Sequence, residues 1–325
     1  MGFAALYISF MHLFTELYPD LVGGVLGQIL SRGNLGVEIF LVISGIGLYY
    51  SLSKNFNLQK FYTKRIWRVV IPWLVVSGVY WLIIGALSRS FSFADFLLNW
   101  TGLSLWVNGT TTVWYVSFIV IMYAVYPVIY LVQRQRSEYL ILLMAAVVVI
   151  NCLLYRFAFT YYDMVEIALT RIPIFLFGSY LGEQLFNRVE DTKHLRTGYL
   201  SITILLFLLS LAIHGRDKNL SILFYRYGGA GIALVIMLVL CWIFFKLSLS
   251  PVRSVLRLYG EMSLEYYLIH VFLRNLTARS GICMEASAAS QFLICVVVLA
   301  CATLLSFLYH KWMDRIRTKF MFDAG

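Results

Sequence analysis

The stretch Leu35-Gly36-Val37-Glu38-Ile39-Phe40-Leu41-Val42-Ile43-Ser44-Gly45-Ile46 sets one carboxylate into a run that is otherwise apolar and continues to residue 53. An α-helix needs about 20 apolar residues to cross a hydrocarbon core of about 30 Å. In that core the backbone must satisfy its own hydrogen bonds, so the segment reads as a transmembrane helix. Glu38 is the exception within it, because an ionisable group in hydrocarbon is costly and is kept where it is used or paired. Ser44-Gly45 reads as a packing notch, since small residues let two helix backbones approach closely.

Outward from this run, comparable stretches recur at 1–14, 67–87, 113–132, 139–157, 165–186, 198–214, 221–246, 262–276 and 290–312. The chain is 61% hydrophobic and only 13% charged, whereas a soluble domain is about one quarter charged. The expected fold is all-α: a polytopic membrane helix bundle of about ten transmembrane helices, one integral membrane domain over 1–325. The stretch 91–106 is interrupted by Asp95, Asn99 and Gly102, and reads as an interfacial or re-entrant piece carrying Trp100 and Trp106. The first run lacks the basic flank and small-residue cleavage site of a signal peptide.

The net charge of +10 is not a nucleic-acid footprint, because the basic residues sit in short gaps between runs. Of the 26 Lys and Arg residues, 17 fall in alternate gaps: around Lys54 to Arg68, at Arg134 and Arg136, from Arg188 to Arg196, from Lys246 to Arg257, and from Lys311 to Lys319. The opposite gaps hold eight, Arg32, Arg89, Arg156, Arg216, Lys218, Arg226, Arg274 and Arg279, and Arg171 lies inside a run. Lys and Arg are retained on the cytoplasmic side, so both termini are expected there. Cys152, Cys241, Cys283, Cys295 and Cys301 show no metal-ligand spacing and imply neither a zinc site nor a disulfide framework.

A few polar residues within or beside the runs carry the chemistry. His12 falls near the outer end of the first span, on the same side as Glu38. A carboxylate beside an imidazole fixes its tautomer and supports the imidazolium, as a general base acting on a sugar hydroxyl requires. Arg65 and Arg68 form an Arg-x-x-Arg pair at the cytoplasmic start of the third span. Helical i, i+3 spacing puts them on one face, where two planar forks could grip phosphate, or could serve as topogenic charge at the lipid head groups. Arg171 and His270 also lie inside spans, where neighbouring helices could satisfy them.

Taken together these segments resemble the acyltransferase-3 family of integral membrane O-acyltransferases. The resemblance rests on Phe3-Ala4-Ala5-Leu6-Tyr7-Ile8-Ser9-Phe10-Met11-His12; on Gly36 to Gly45; on Phe61-Tyr62 with Arg65, Arg68 and Pro72; on Thr170-Arg171-Ile172-Pro173 with Phe175, Gly178 and Gly182; and on Ser263-Leu264-Glu265-Tyr266-Tyr267-Leu268-Ile269-His270. Trp114-Tyr115, followed by Tyr123 and Pro127, is a sixth and weaker stretch. The resemblance implies a ten-span bundle that takes an acyl group, usually acetyl from acetyl-CoA, at the cytoplasmic side and delivers it to a hydroxyl of an extracytoplasmic glycan. It implies His12 as the catalytic histidine and Arg65 and Arg68 as the acyl-donor pair, and Glu38, on the same side as His12, is the candidate catalytic acid. Arg171, Tyr267 and His270 fall in recurrent family segments and are further candidate site residues.

The partners this implies are acyl-CoA as co-substrate, a surface polysaccharide or lipid-linked sugar as acceptor, and membrane lipids. No bound cofactor, metal or nucleic acid is expected, and the expected location is a bacterial inner membrane. The family also carries an Arg separated from the first-span His by ten intervening residues, and counting back from His12 reaches Met1, so either residues precede this start or this member lacks that Arg. A first span of residues 1–14 is short for a crossing, so an N-terminal extension is expected. The rival class is a glycan or lipid exporter, in which His12, Glu38 and His270 relay protons. The Arg-x-x-Arg pair and the ordered segments favour the enzyme.

Overall fold

The structure, a computed structural model, describes residues 1–88, 92–187, 218–246, 250–281 and 287–322. The expected span 198–214, Cys283, and the basic residues Arg89, Arg188, Lys193, Arg196 and Arg216 lie outside the described residues. In chain order the helices are α1 Gly2–Met11, α2 Gly24–Leu30, α3 Leu35–Lys54, α4 Leu58–Arg65, α5 Ile71–Leu87, α6 Phe93–Trp100, α7 Ser104–Asn108, α8 Trp114–Gln135 and α9 Ser137–Phe157. They continue with α10 Phe159–Leu169, α11 Ile172–Phe186, α12 Lys218–Lys246, α13 Ser250–Glu261, α14 Ser263–Ser280 and α15 Ala288–Phe322. Two stretches wind as wider π turns, His12–Leu17 after α1 and Ile66–Val70 between α4 and α5. Among the described residues there is no strand.

Among the described residues, seven helical stretches are long and apolar enough to cross a membrane: Gly24–Lys54, Leu58–Leu87, Trp114–Gln135, Ser137–Phe157, Phe159–Phe186, Tyr225–Phe244 and Ala288–Lys319. The protein is an all-α, polytopic membrane protein. Two more expected spans are helical but differ from these. Gly2–Leu17 is apolar and short, and α14 carries Glu265, His270, Arg274 and Arg279. The stretch expected not to cross forms two short helices, α6 and α7, with Gly102 between them at φ 71°. Only a residue without Cβ adopts that backbone readily.

The described residues divide into two compact units, one of Met1–Gly36, Thr63–Val120 and Ser250–Gly325, the other of Val37–Tyr62 and Ile121–Leu249. In the first unit α14 is the pivot. One face packs on α5 and the start of α8, where Trp73, Tyr80, Ile84 and Val116 meet Leu268, Val271 and Phe272. The rings of Tyr80 and Phe272 stack 4.0 Å apart. Leu13, Phe14 and Tyr18, in and just after the π turn, pack against Cys295 and Val298 of α15. Trp100, expected as an interfacial anchor, is tied to α5 through a 2.7 Å bond from Nε1 to the Leu74 carbonyl.

In the second unit α3 and α11 touch backbone to backbone. A Cβ on Gly45 would meet the Phe175 carbonyl oxygen, and one on Gly178 would meet the Val42 carbonyl and, at 2.8 Å, the Val42 Cα. No side chain can move aside there, so the contact exists only because both helices present glycine. The notch read at Gly45 is such a contact. Gly178→Val is therefore expected to cost roughly 1–3 kcal/mol by overpacking, read as a lower thermal midpoint in detergent. Gly47→Ala, whose Cβ meets nothing within 4 Å, leaves the midpoint at or above the parental value.

Candidate active site

His12 is the first residue of the π turn that ends α1. Isolated π turns occur mostly inside α-helices and frequently at functional sites. Its Nδ1 lies 3.0 Å from Nε2 of His270 on α14, and Nδ1 of His270 lies 2.8 Å from the carbonyl oxygen of Tyr266, one turn back on the same helix. The two imidazoles stack, centroids 5.2 Å apart.

This chain determines where the protons are. A carbonyl oxygen only accepts, so Nδ1 of His270 carries a hydrogen. His270 is 1% exposed, and a buried imidazolium with no carboxylate bonded to it would be costly, so the ring is neutral and its Nε2 accepts. Nδ1 of His12 is then the donor, and Nε2 of His12 keeps its lone pair. The His12 side chain is 16% exposed. The reachable imidazole thus has the basic nitrogen facing outward and the shut-away imidazole holds it from behind.

Other groups of the same unit close around this pair. Glu16, four residues on in the π turn, has Oε2 3.8 Å from His12 Nε2. Arg274 of α14 donates to that same oxygen, and its Nε and Nη2 are held by Asn275 Oδ1 at 3.1 and 2.7 Å. Tyr267 sets its ring edge-on to His270, 5.8 Å away. Behind the pair, Ser9 Oγ and Tyr266 Oη are 2.9 Å apart.

Arg65 closes α4 and Arg68 lies in the π turn that follows, exposed. The wider turn carries an i, i+3 pair farther round the axis than an α turn, so the two forks diverge more than the α-helical spacing implies. The turn is gripped from α15. Arg317 Nε donates to the Trp67 carbonyl at 3.1 Å, Nη2 to Glu265 Oε1 at 3.2 Å and Nη1 to Asp314 Oδ1 at 2.9 Å. His310 lies 3.2 Å from both Glu265 and Asp314.

Glu38 and Arg171 belong to the second unit, and there they form an ion pair, Arg171 Nε to Glu38 Oε1 at 3.2 Å, both about 2% exposed. Arg171 Nη1 also donates to the Ile167 carbonyl at 2.8 Å, at the break between α10 and α11. Beside them Arg226 takes Glu166 in a two-point contact of 3.1 and 2.8 Å. This changes two expectations. The carboxylate beside His12 in its own unit is Glu16, while Glu38 serves a guanidinium. Arg226, read as a gap charge, is a partly buried ion-pair partner. Glu16 was within reach of the sequence as an acid four residues after the histidine. Among the described residues, no group of three or more His, Cys, Asp or Glu could hold a metal.

The site thus pairs a partly exposed imidazole, 16% exposed, with a buried one inside a polytopic helical membrane protein. The chain belongs to the acyltransferase-3 family, whose acyltransferase domain model matches residues 2–312. No curated protein and no solved structure gives a match. The family carries acyltransferase activity, and the proton arrangement at His12 yields a direct check. Diethyl pyrocarbonate attacks an unprotonated imidazole nitrogen, so peptide mass mapping after brief treatment should find His12 modified and His270 intact until the protein is denatured. Modification of His270 first would contradict the assignment.

Proposed function

We propose that the protein is a membrane O-acyltransferase that moves an acyl group, acetyl by preference, from cytoplasmic acyl-CoA to a hydroxyl of an extracytoplasmic or lipid-linked glycan. The observation that carries this reading is the chain from His12 Nδ1 to His270 Nε2 and from His270 Nδ1 to the Tyr266 carbonyl, which leaves the lone pair on His12 Nε2. In the step proposed, Nε2 takes the proton of the acceptor hydroxyl as its oxygen attacks the thioester carbonyl carbon. The carbon–sulfur bond then breaks and the departing thiolate recovers the proton from the imidazolium. His270 keeps the ring in the reactive tautomer, the role a carboxylate plays behind a catalytic histidine elsewhere.

Arg65 and Arg68 are proposed to hold the phosphates of acyl-CoA, since planar forks suit that geometry better than ammonium groups. The alternation of basic gaps supports an inner-membrane protein with both termini in the cytoplasm and the arginine pair at the cytoplasmic mouth. Glycan or lipid export, the rival reading, would use the His12–His270 contact as a proton relay, but the far nitrogen of His270 ends on the Tyr266 carbonyl, which takes no proton.

His12→Ala is expected to lower transfer of radiolabel from acetyl-CoA into membrane glycan by roughly 10²- to 10⁴-fold, the usual worth of a general base. Transfer at the parental rate would falsify the catalytic assignment. The double variant Arg65→Ala, Arg68→Ala, checked for normal membrane insertion, should lose acetyl-CoA binding in a filter assay. Unchanged binding returns the pair to a topogenic role.

A further inference from the structure

We propose that Glu16 is the counter-charge for the proton that His12 takes up, a positioning residue held ready by Arg274. This rests on the reading of His12 as the base. Oε2 of Glu16 faces Nε2 of His12 across 3.8 Å, and in the resting state both atoms are acceptors, so no hydrogen bond joins them. Once Nε2 gains a proton it becomes a donor, and a small rotation of Glu16, whose side chain is 45% exposed, brings the two into an ion pair. That interaction is absent before proton transfer and present after it. It lowers the protonated state and leaves the resting state alone, the requirement for an interaction that accelerates a reaction.

The path behind His12 makes this counter-charge necessary. His12 could pass its Nδ1 proton to His270, but the far nitrogen of His270 already donates to the Tyr266 carbonyl, which cannot take a proton. The positive charge stays on the two rings. The charged and titratable groups around His12 among the described residues are Glu16 on its own turn, and His270 and Arg274 on α14. Arg274 alone would oppose an imidazolium, so Glu16 both cancels that cation and meets the proton. Asn275 anchors Arg274 through two nitrogens, which fixes the place where Glu16 waits.

The test follows diethyl pyrocarbonate modification of His12 against pH in the full chain in detergent, which needs no substrate. In Glu16→Gln the side chain keeps its shape and can still accept from Arg274, but its charge is gone. The pH at which His12 is half protected should fall by roughly one unit, the low end of what a charge at this distance does, while Glu16→Asp keeps the parental midpoint. A role confined to anchoring the turn would change the maximal rate and not the midpoint. A parental midpoint in Glu16→Gln overturns the proposal. If that variant does not assemble, Arg274→Gln provides the opposite readout, a midpoint raised above the parental one, and an unmoved midpoint there also overturns it. Failure here leaves the general-base reading standing, since that is decided separately by transfer activity in His12→Ala.

Discussion

The hydrogen bond from His270 to the Tyr266 carbonyl is the constraint on which the arrangement of the histidine pair depends. It spends one nitrogen of a buried ring on an acceptor that cannot exchange roles, and that choice passes through the second nitrogen to His12. The bond is local to α14, four residues apart. A carbonyl inside a helix already serves its own ladder, yet it has a second lone pair for a side chain one turn on. The orientation of the His12 imidazole is thus set by helix geometry rather than by a separate carboxylate, and a carboxylate is left over for the opposite face of the ring.

The cost shows in the composition of α14. It holds an acid, a buried histidine and two arginines within Ser263–Ser280, and none of the seven apolar crossings includes it. The helix is affordable because its polar groups point at partners within the unit: Glu265 at His310 and Arg317, His270 at His12, Arg274 at Glu16 and Asn275. Its remaining face supplies Leu268, Val271 and Phe272 to the apolar cluster with α5. In hydrocarbon an unsatisfied polar group costs several kcal/mol, so such a helix is tenable only with its partners in place.

Hydropathy made the helical runs legible, because the length and composition of a crossing are one-dimensional properties. Pairing within the site was not legible for the opposite reason. Hydropathy places a residue along the chain and gap charges assign it a side, but neither says which neighbour its side chain faces. Glu38 and His12 were matched by side alone, whereas Glu38 is paired with Arg171 and Glu16 stands by His12. Arg226 and Arg274 were counted as gap charges although they fall near the outer ends of the runs 221–246 and 262–276, and both are held in ion pairs. The Arg65–Arg68 spacing was read as α-helical. Nothing in Arg65-Ile66-Trp67-Arg68 announces that the turn widens to π at Ile66.

The π turn at Ile66–Val70 and the histidine pair are linked through α14. Glu265 and His270 are five residues apart on it, about 7.5 Å along the axis at 1.5 Å per residue. Glu265 receives Arg317, and Arg317 in turn donates to the Trp67 carbonyl between the two arginines. His270 receives His12. One rigid helix therefore fixes both the turn that carries Arg68 and the ring that carries the lone pair, and an axial slip of α14 would disturb the two together. Buried pairs such as Glu265 with Arg317 and His310 add little net stability over an apolar replacement, because desolvation offsets their attraction. Their worth here is in register: no apolar side chain at 265 could hold the Arg317 guanidinium toward Trp67 while His270, little more than one turn away, holds His12.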